Sequence, residues 1–233
     1  MKTFHLFITV ICTSLLTACG GGGGGAPAAT GPAASSSAFP LKSAFSALIA
    51  AGETKSMIVS GTCTGTANAT RAPAAGGATF EGVAGRLSAS SALTISLTNC
   101  TPASIASTAT GFYDSNYTPL GSNTVGGNYG VFLTVPVIPT TVAVGDTGTL
   151  GTQNLYTNSA KTTPAGQRVS SYVVEADTTT TAIVNLISKE FNTSNVLLAT
   201  EQDRYRISAS GTLILVSIDV QASNGSTTHL FLQ

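Results

Sequence analysis

Charged side chains are what this sequence most lacks: they make up 9% of its 233 residues, against about 25% in an ordinary soluble domain. Ten basic residues balance ten acidic ones. No positive field exists to hold a phosphate backbone, which argues against nucleic-acid binding. Histidine occurs twice, and His5 sits in an N-terminal apolar run, so His229 is left for any imidazole chemistry further on. A structural zinc site needs more Cys and His ligands than that leaves, so no metal and no cofactor is expected. No apolar run reaches the about 20 residues that cross a bilayer as a helix. The longest, Phe4 to Leu16, is broken only by His5 and small polar groups. What the chain does have is 42% hydrophobic residues, enough for a core. Abundant Ser and Thr favour strands and turns over helices.

Met1-Lys2 is a short positive start, and the apolar run behind it has the length of a secretory h-region. It ends in Leu16-Thr17-Ala18-Cys19. This tetrapeptide resembles the lipobox of bacterial lipoproteins, in which an aliphatic residue and two small ones precede a cysteine. The resemblance implies a signal peptide over residues 1–18 and cleavage before Cys19. It also implies a diacylglycerol on the Cys19 thiol and a third acyl chain, such as palmitate, on its new amino group. Two or more acyl chains hold a protein on a membrane stably where one does not. In bacterial lipoproteins an Asp after the cysteine favours the inner membrane. Gly20 stands there instead, so the resemblance implies the outer membrane, with the domain at its periplasmic or outer face.

Residues 19–38 begin with six glycines after Cys19 and continue rich in Ala, Pro and Ser. Nothing in them can bury apolar surface, so a flexible tether is expected. The glycines lack the Lys-Ser/Thr of a phosphate-binding loop. From residue 39 to 233 the composition does not break, which suggests one β-rich domain. By the same resemblance, Cys12 falls in the signal peptide and Cys19 is expected to carry lipid. Cys63 and Cys100 remain, and in an exported chain they are expected to form a disulfide. Closing that loop stabilises the fold by roughly 4 kcal/mol on the chain-entropy model.

Leu41, Phe45, Leu48 and Ile49 recur at helical spacing, with Pro40 before them and Gly52 after, so a helix is predicted over Pro40 to Ala50. Beyond it, period-two alternation marks strands near 57–59, 78–80, 93–97 and 131–135. Five further segments follow: 169–175, 182–191, 196–207, 211–222 and 227–232. Asn224-Gly225 is a hairpin signal. On the fourth of these segments Leu213, Leu215 and Ser217 are expected on one face and Ile214, Val216, Ile218 and Val220 on the other. The fold class expected is all-β: an antiparallel meander forming a sandwich or a curved, partly closed sheet, with one short N-terminal helix.

The chemistry-bearing motifs are weak. Asp146-Thr147-Gly148 resembles the aspartic protease motif over three residues, but no second copy supplies the paired carboxylate; a turn is the plainer reading. A Ser-His-Asp triad would have to use His229, and no Gly-x-Ser-x-Gly elbow precedes it. A pair of carboxylates for hydrolysis would have to converge in a cleft from among Asp114, Asp146, Glu175, Asp177, Glu190 and Asp203. Tyr113, Asp114, Tyr117 and Tyr129 form the densest aromatic stretch and are a candidate binding surface; Asp114 and Asn116 lack the rest of a calcium loop. Gly61-Thr-Cys-Thr-Gly65 behind a Gly-rich tether is loosely similar to proteobacterial lipoproteins without known activity. Together these point to a membrane-anchored envelope lipoprotein, a non-catalytic binding or structural module that contacts another envelope protein or a surface ligand. The alternative is a carrier of a small apolar ligand in a curved sheet with the helix as lid. A hydrolase comes third.

Overall fold

The computed structural model describes residues 34–232. The expected signal peptide, lipobox, Cys19 and the part of the expected tether up to residue 33 lie outside the described residues. One helix, α1 (Leu41–Ala51), is followed by thirteen strands. They are β1 (Glu53–Gly61), β2 (Gly65–Arg71), β3 (Ala75–Phe80), β4 (Val83–Leu97), β5 (Ser104–Tyr113), β6 (Pro119–Thr124) and β7 (Tyr129–Phe132). The rest are β8 (Thr147–Tyr156), β9 (Pro164–Ala176), β10 (Thr181–Phe191), β11 (Leu197–Ser208), β12 (Leu213–Ala222) and β13 (Thr227–Leu232). The helix lies one residue from its predicted bounds, and the five C-terminal strands fall where the alternation placed them. Strands β2, β5, β6 and β8 carried no such signal.

The meander runs through the whole chain and closes on itself. β1 pairs with β13, placing Val59 opposite Leu230, and β2 pairs with β4, placing Ala67 opposite Ile95. The result is an antiparallel barrel of twelve staves, with β3 a side arm on β4. Closure leaves the twelve staves without an open sheet edge, and only the arm β3 keeps one. Eight strands enclose a space that inward side chains just fill, whereas twelve enclose more. Along one wall, large inward residues of β1, β11, β12 and β13 meet in a core of Met57, Val59, Tyr205, Leu215 and Leu230.

One end of the barrel is filled from outside the sheet. α1 and the loop between β7 and β8 are pushed into it. Phe39, Leu41, Ala44 and Val142 there pack on Tyr172, Val174, Val184 and Ile207. The Phe39 N–H donates to the Val142 carbonyl (2.7 Å), and the Val142 N–H returns the bond to Phe39 (2.9 Å). Phe39 has no exposed surface, and burying it stabilises the plug by about 1.5–3 kcal/mol. The helix stops at Gly52, whose φ is 67° and whose N–H caps the Leu48 carbonyl at 3.1 Å. A Cβ there would run into the backbone of Arg71 and Pro73, so only glycine fits.

β12 departs from simple alternation. Leu215 pairs with Tyr205 and Ser217 with Arg204, leaving Val216 as a bulge. The bulge shifts the phase by one residue. Ser217 therefore stands on the outer side, opposite Arg204 and Phe231, and not with Leu215. Beyond it Val220 points inward with the core. The tip of the β3–β4 hairpin folds over the outer face, where Phe80 stacks on Phe112 (4.6 Å between ring centroids) and packs on Tyr129 (5.7 Å).

Candidate functional site

The turns β1–β2, β4–β5, β6–β7, β8–β9, β10–β11 and β12–β13 all lie at the end opposite α1. They frame a cavity of about 1250 Å³ that opens there, its wall formed by Ile95, Leu97, Ile105 and Val220 and its rim by Asn128 and Ser226. Cys63 and Cys100 form a disulfide on this rim, their Cα atoms 5.8 Å apart, joining the β1–β2 turn to the β4–β5 turn. Under α1 a second cavity of about 160 Å³ is bounded by Leu41, Phe45, Phe132, Leu150, Leu186 and Asp203. Part of the space exists because several inward positions on β5 to β9 are small, between larger ones such as Phe132 and Tyr172. Gly130 faces in opposite Leu155, and Ser170 faces in opposite Ser188.

Four carboxylates share this interior, one of them Glu53 of β1, which is paired with Arg71. In β11, alternation puts Glu201 and Asp203 on the inward face with Tyr205 and Ile207, both of which lie in the core. Glu190 of β10 is inward as well, opposite Arg168 on one side and Ala199 on the other. Glu190 is satisfied: Arg168 Nη2 donates to Oε2 at 2.8 Å and Asn128 Nδ2 to Oε1 at 3.2 Å. Asp203 is not. Its cross-strand neighbours are Leu186 and Ile218, and its Oδ1 is fully buried with no hydrogen-bond partner. A buried polar atom left unpaired costs about 1–3 kcal/mol. Burial pushes the Asp203 carboxyl well above its ordinary value, and the nearby Glu201 and Glu53 carboxylates push it further. Burial likewise raises Glu201, where Arg168 opposes the shift and Glu190 adds to it. The closest guanidinium groups are committed elsewhere, Arg168 to Glu190 and Arg71 to Glu53 at 2.5 Å. Among the described residues, neither Glu201 nor Asp203 takes part in an ion pair.

Of the six acidic candidates, Glu190 and Asp203 thus face the same interior, Glu190 on the larger cavity and Asp203 on the smaller, with Glu201 between them; the other four do not join them. Asp114 turns onto its own loop, where Oδ1 accepts from the Asn116 and Thr118 N–H groups, both at 2.8 Å. Asp146 does the same: its Oδ2 accepts from the Ala143 N–H at 2.8 Å, so Asp-Thr-Gly is a turn leading into β8. Glu175 lies outside, hydrogen-bonded by Asn185 Nδ2 at 2.9 Å. Arg206 Nε donates to Asp177 at 2.7 Å and holds that carboxyl below the usual carboxylate range.

His229 is on the outer face of β13, its Nδ1 2.5 Å from Asp219 Oδ1. Ser60 stands opposite it on β1. The other Asp219 oxygen is paired with Arg204, and that guanidinium neutralises the carboxylate a triad would need to stabilise an imidazolium. The tyrosines do not form an outer binding surface. Tyr113 is 9% exposed and packs with Ile49 of the helix and Ala89. Tyr129 is 6% exposed, covered by Phe80, with its hydroxyl donating to Glu81 at 2.7 Å. Tyr117 packs against the same helix cluster. Aromatic rings here pin a loop and a hairpin to the barrel. Glu201 is the site residue the sequence did not single out, although the alternation Glu201, Asp203, Tyr205, Ile207 already places it on the core-facing side. Compared with known families, curated proteins and solved structures, the chain matches none.

Proposed function

We propose that this chain is a non-catalytic envelope lipoprotein that carries a small, largely apolar ligand inside its barrel, tethered to the outer membrane through lipidated Cys19. The observation that carries this reading is the unfilled interior: a wide-mouthed cavity of about 1250 Å³ and a second one under a helix that closes the other end. Ligand sites are of this kind, concave, mostly apolar and with few polar groups. The outward positions support a lipid anchor over insertion of the barrel itself. Ser88, Ser90, Thr94 and Ser96 of β4 and Thr200, Gln202, Arg204 and Arg206 of β11 face out, whereas membrane-crossing barrels turn an apolar band to the lipid. The chain enters the barrel beside α1, so a tether of about eighteen residues, reaching about 25 Å, would hold the plugged end toward the membrane and the mouth away from it. Native mass spectrometry of the full chain, gently extracted from its own membranes, tests this. A bound small molecule is expected, and a bare polypeptide with a solvent-filled lumen overturns the reading.

A hydrolase is the second reading, favoured only by the convergence of Glu190, Glu201 and Asp203. A pair of acids pushed to different proton affinities is the usual equipment of acid–base chemistry. Hydrolysis of a glycoside panel that is lost in Glu201→Gln would support it, and activity that persists in that variant would remove it.

A further inference from the structure

We propose that the interior beside Asp203 and Glu201 receives the ammonium group of a small amphiphilic amine whose alkyl chain lies in the cavity under α1. This names the chemistry of the ligand and rests on the carrier reading. Two lumen carboxylate oxygens are buried without a hydrogen-bond partner, Glu53 Oε2 and Asp203 Oδ1. Glu53 is held by Arg71 through its other oxygen, whereas Asp203 takes part in no ion pair among the described residues. It lies between two aliphatic neighbours, Leu186 and Ile218, where a structural carboxylate has no reason to be. Both nearby guanidinium groups already hold other acids. What is missing beside Asp203 is therefore a cation or a strong donor that the chain itself does not supply.

The remaining walls say what that cation is attached to. Leu41, Phe45, Phe132, Ile138 and Leu150 line the cavity into which Asp203 faces, with the Ser170 and Ser188 groups beside it. At about 30 Å³ for a water-sized group, 160 Å³ takes about five, the length of a short alkyl chain. A metal ion does not fit as well: among the described residues no three carboxylate, imidazole or thiolate groups converge to hold one. An anionic amphiphile would meet two uncompensated acids. An ammonium donates three hydrogen bonds and, with its charge, satisfies Asp203 and its neighbour Glu201 together.

Calorimetry on the full chain with n-hexylamine, n-hexanol and hexanoate tests the claim, because the three probes share a chain and differ in the head. Hexylamine is expected to bind about tenfold or more tightly than hexanol, and hexanoate more weakly than either. Asp203→Asn is expected to bring hexylamine down to the level of hexanol while leaving hexanol unchanged; Glu201→Gln should reduce the preference several-fold. Equal binding of amine and alcohol, or a preference that survives Asp203→Asn, overturns the inference and leaves the carrier reading standing. Binding of none of the three overturns both. The order of the three probes on the unaltered chain decides the matter even where a variant fails to fold.

Discussion

Where the chain enters the barrel, Phe39, Leu41, Ala44 and Val142 are driven into the interior and only about 160 Å³ is left empty. At the opposite end six turns of Thr, Ser, Asn and Gly frame a cavity of about 1250 Å³. The same twelve staves build both ends. The strands alone do not decide whether this barrel is packed or hollow; the large side chains that enter from outside the sheet decide it. A barrel this wide cannot be filled by its own inward residues. The helix makes one end a core, and its absence from the other leaves a container.

Phe39→Ala attacks the plugged end and should have the largest effect. Removing a fully buried ring there is expected to cost about 3–5 kcal/mol, read as a lower urea midpoint. Cys63→Ser attacks the rim of the open end. Losing the disulfide is expected to cost about 2–4 kcal/mol, with the loss of protection in hydrogen exchange concentrated in the β1–β2 and β4–β5 turns. Damage spread evenly over both ends in either variant would show that the two ends are not separate regions.

Asp203→Asn should move stability the other way. The folded protein holds the Asp203 proton more tightly than the unfolded chain does. The stability contributed by this group is therefore complete below the ordinary carboxylate range and is lost as pH rises through the raised value. Glu201, Glu53, Arg71 and Tyr205 lie around Asp203, with Arg168 and Glu190 beyond them around Glu201, and all shape the same profile. The variant is expected to melt about 2–4 °C higher at pH 7, for a gain of about 1 kcal/mol, and to lose stability less steeply between pH 4 and 7. A lower melting point at pH 7 would show the carboxylate to be structural. The smallest effect belongs to the outer hairpin arm: Glu81→Gln loosens one partly exposed ion pair with Lys161 and should cost about 0.2–1 kcal/mol, with ligand binding unchanged.

The contrast between the ends also explains what the sequence could show. α1 was legible because Leu41, Phe45 and Leu48 must meet a core, and a core imposes helical spacing. β9 to β13 were legible for the same reason, since part of each inward face is large and apolar, as at Tyr172, Val184, Tyr205, Leu215 and Leu230. β2 and β6, in contrast, read Gly-Thr-Ala-Asn-Ala-Thr-Arg and Pro-Leu-Gly-Ser-Asn-Thr. The inward residues of β6 are small where they meet the lumen, and Ala67 and Ala69 of β2 are small where they pack beside Met57 and Ile95, so neither strand shows an alternation of large apolar residues. The Ser217 position was misread because one bulged residue, Val216, reverses the phase of β12. Among site residues, Glu190 and Asp203 could be named as acids but not placed on one interior, because that depends on the register of β10 against β11.

The central claim is that the lumen is a place for a ligand and not a packing defect. Titration with an environment-sensitive naphthylamine dye, on the unaltered chain and on Thr228→Trp and Thr94→Trp, tests it most directly. Thr228 lines the mouth and Thr94 faces outward from β4. The account predicts one saturable dye site, abolished by the indole at Thr228 and untouched by the one at Thr94. Dye binding that survives Thr228→Trp, or no saturable binding in the unaltered chain, would contradict it.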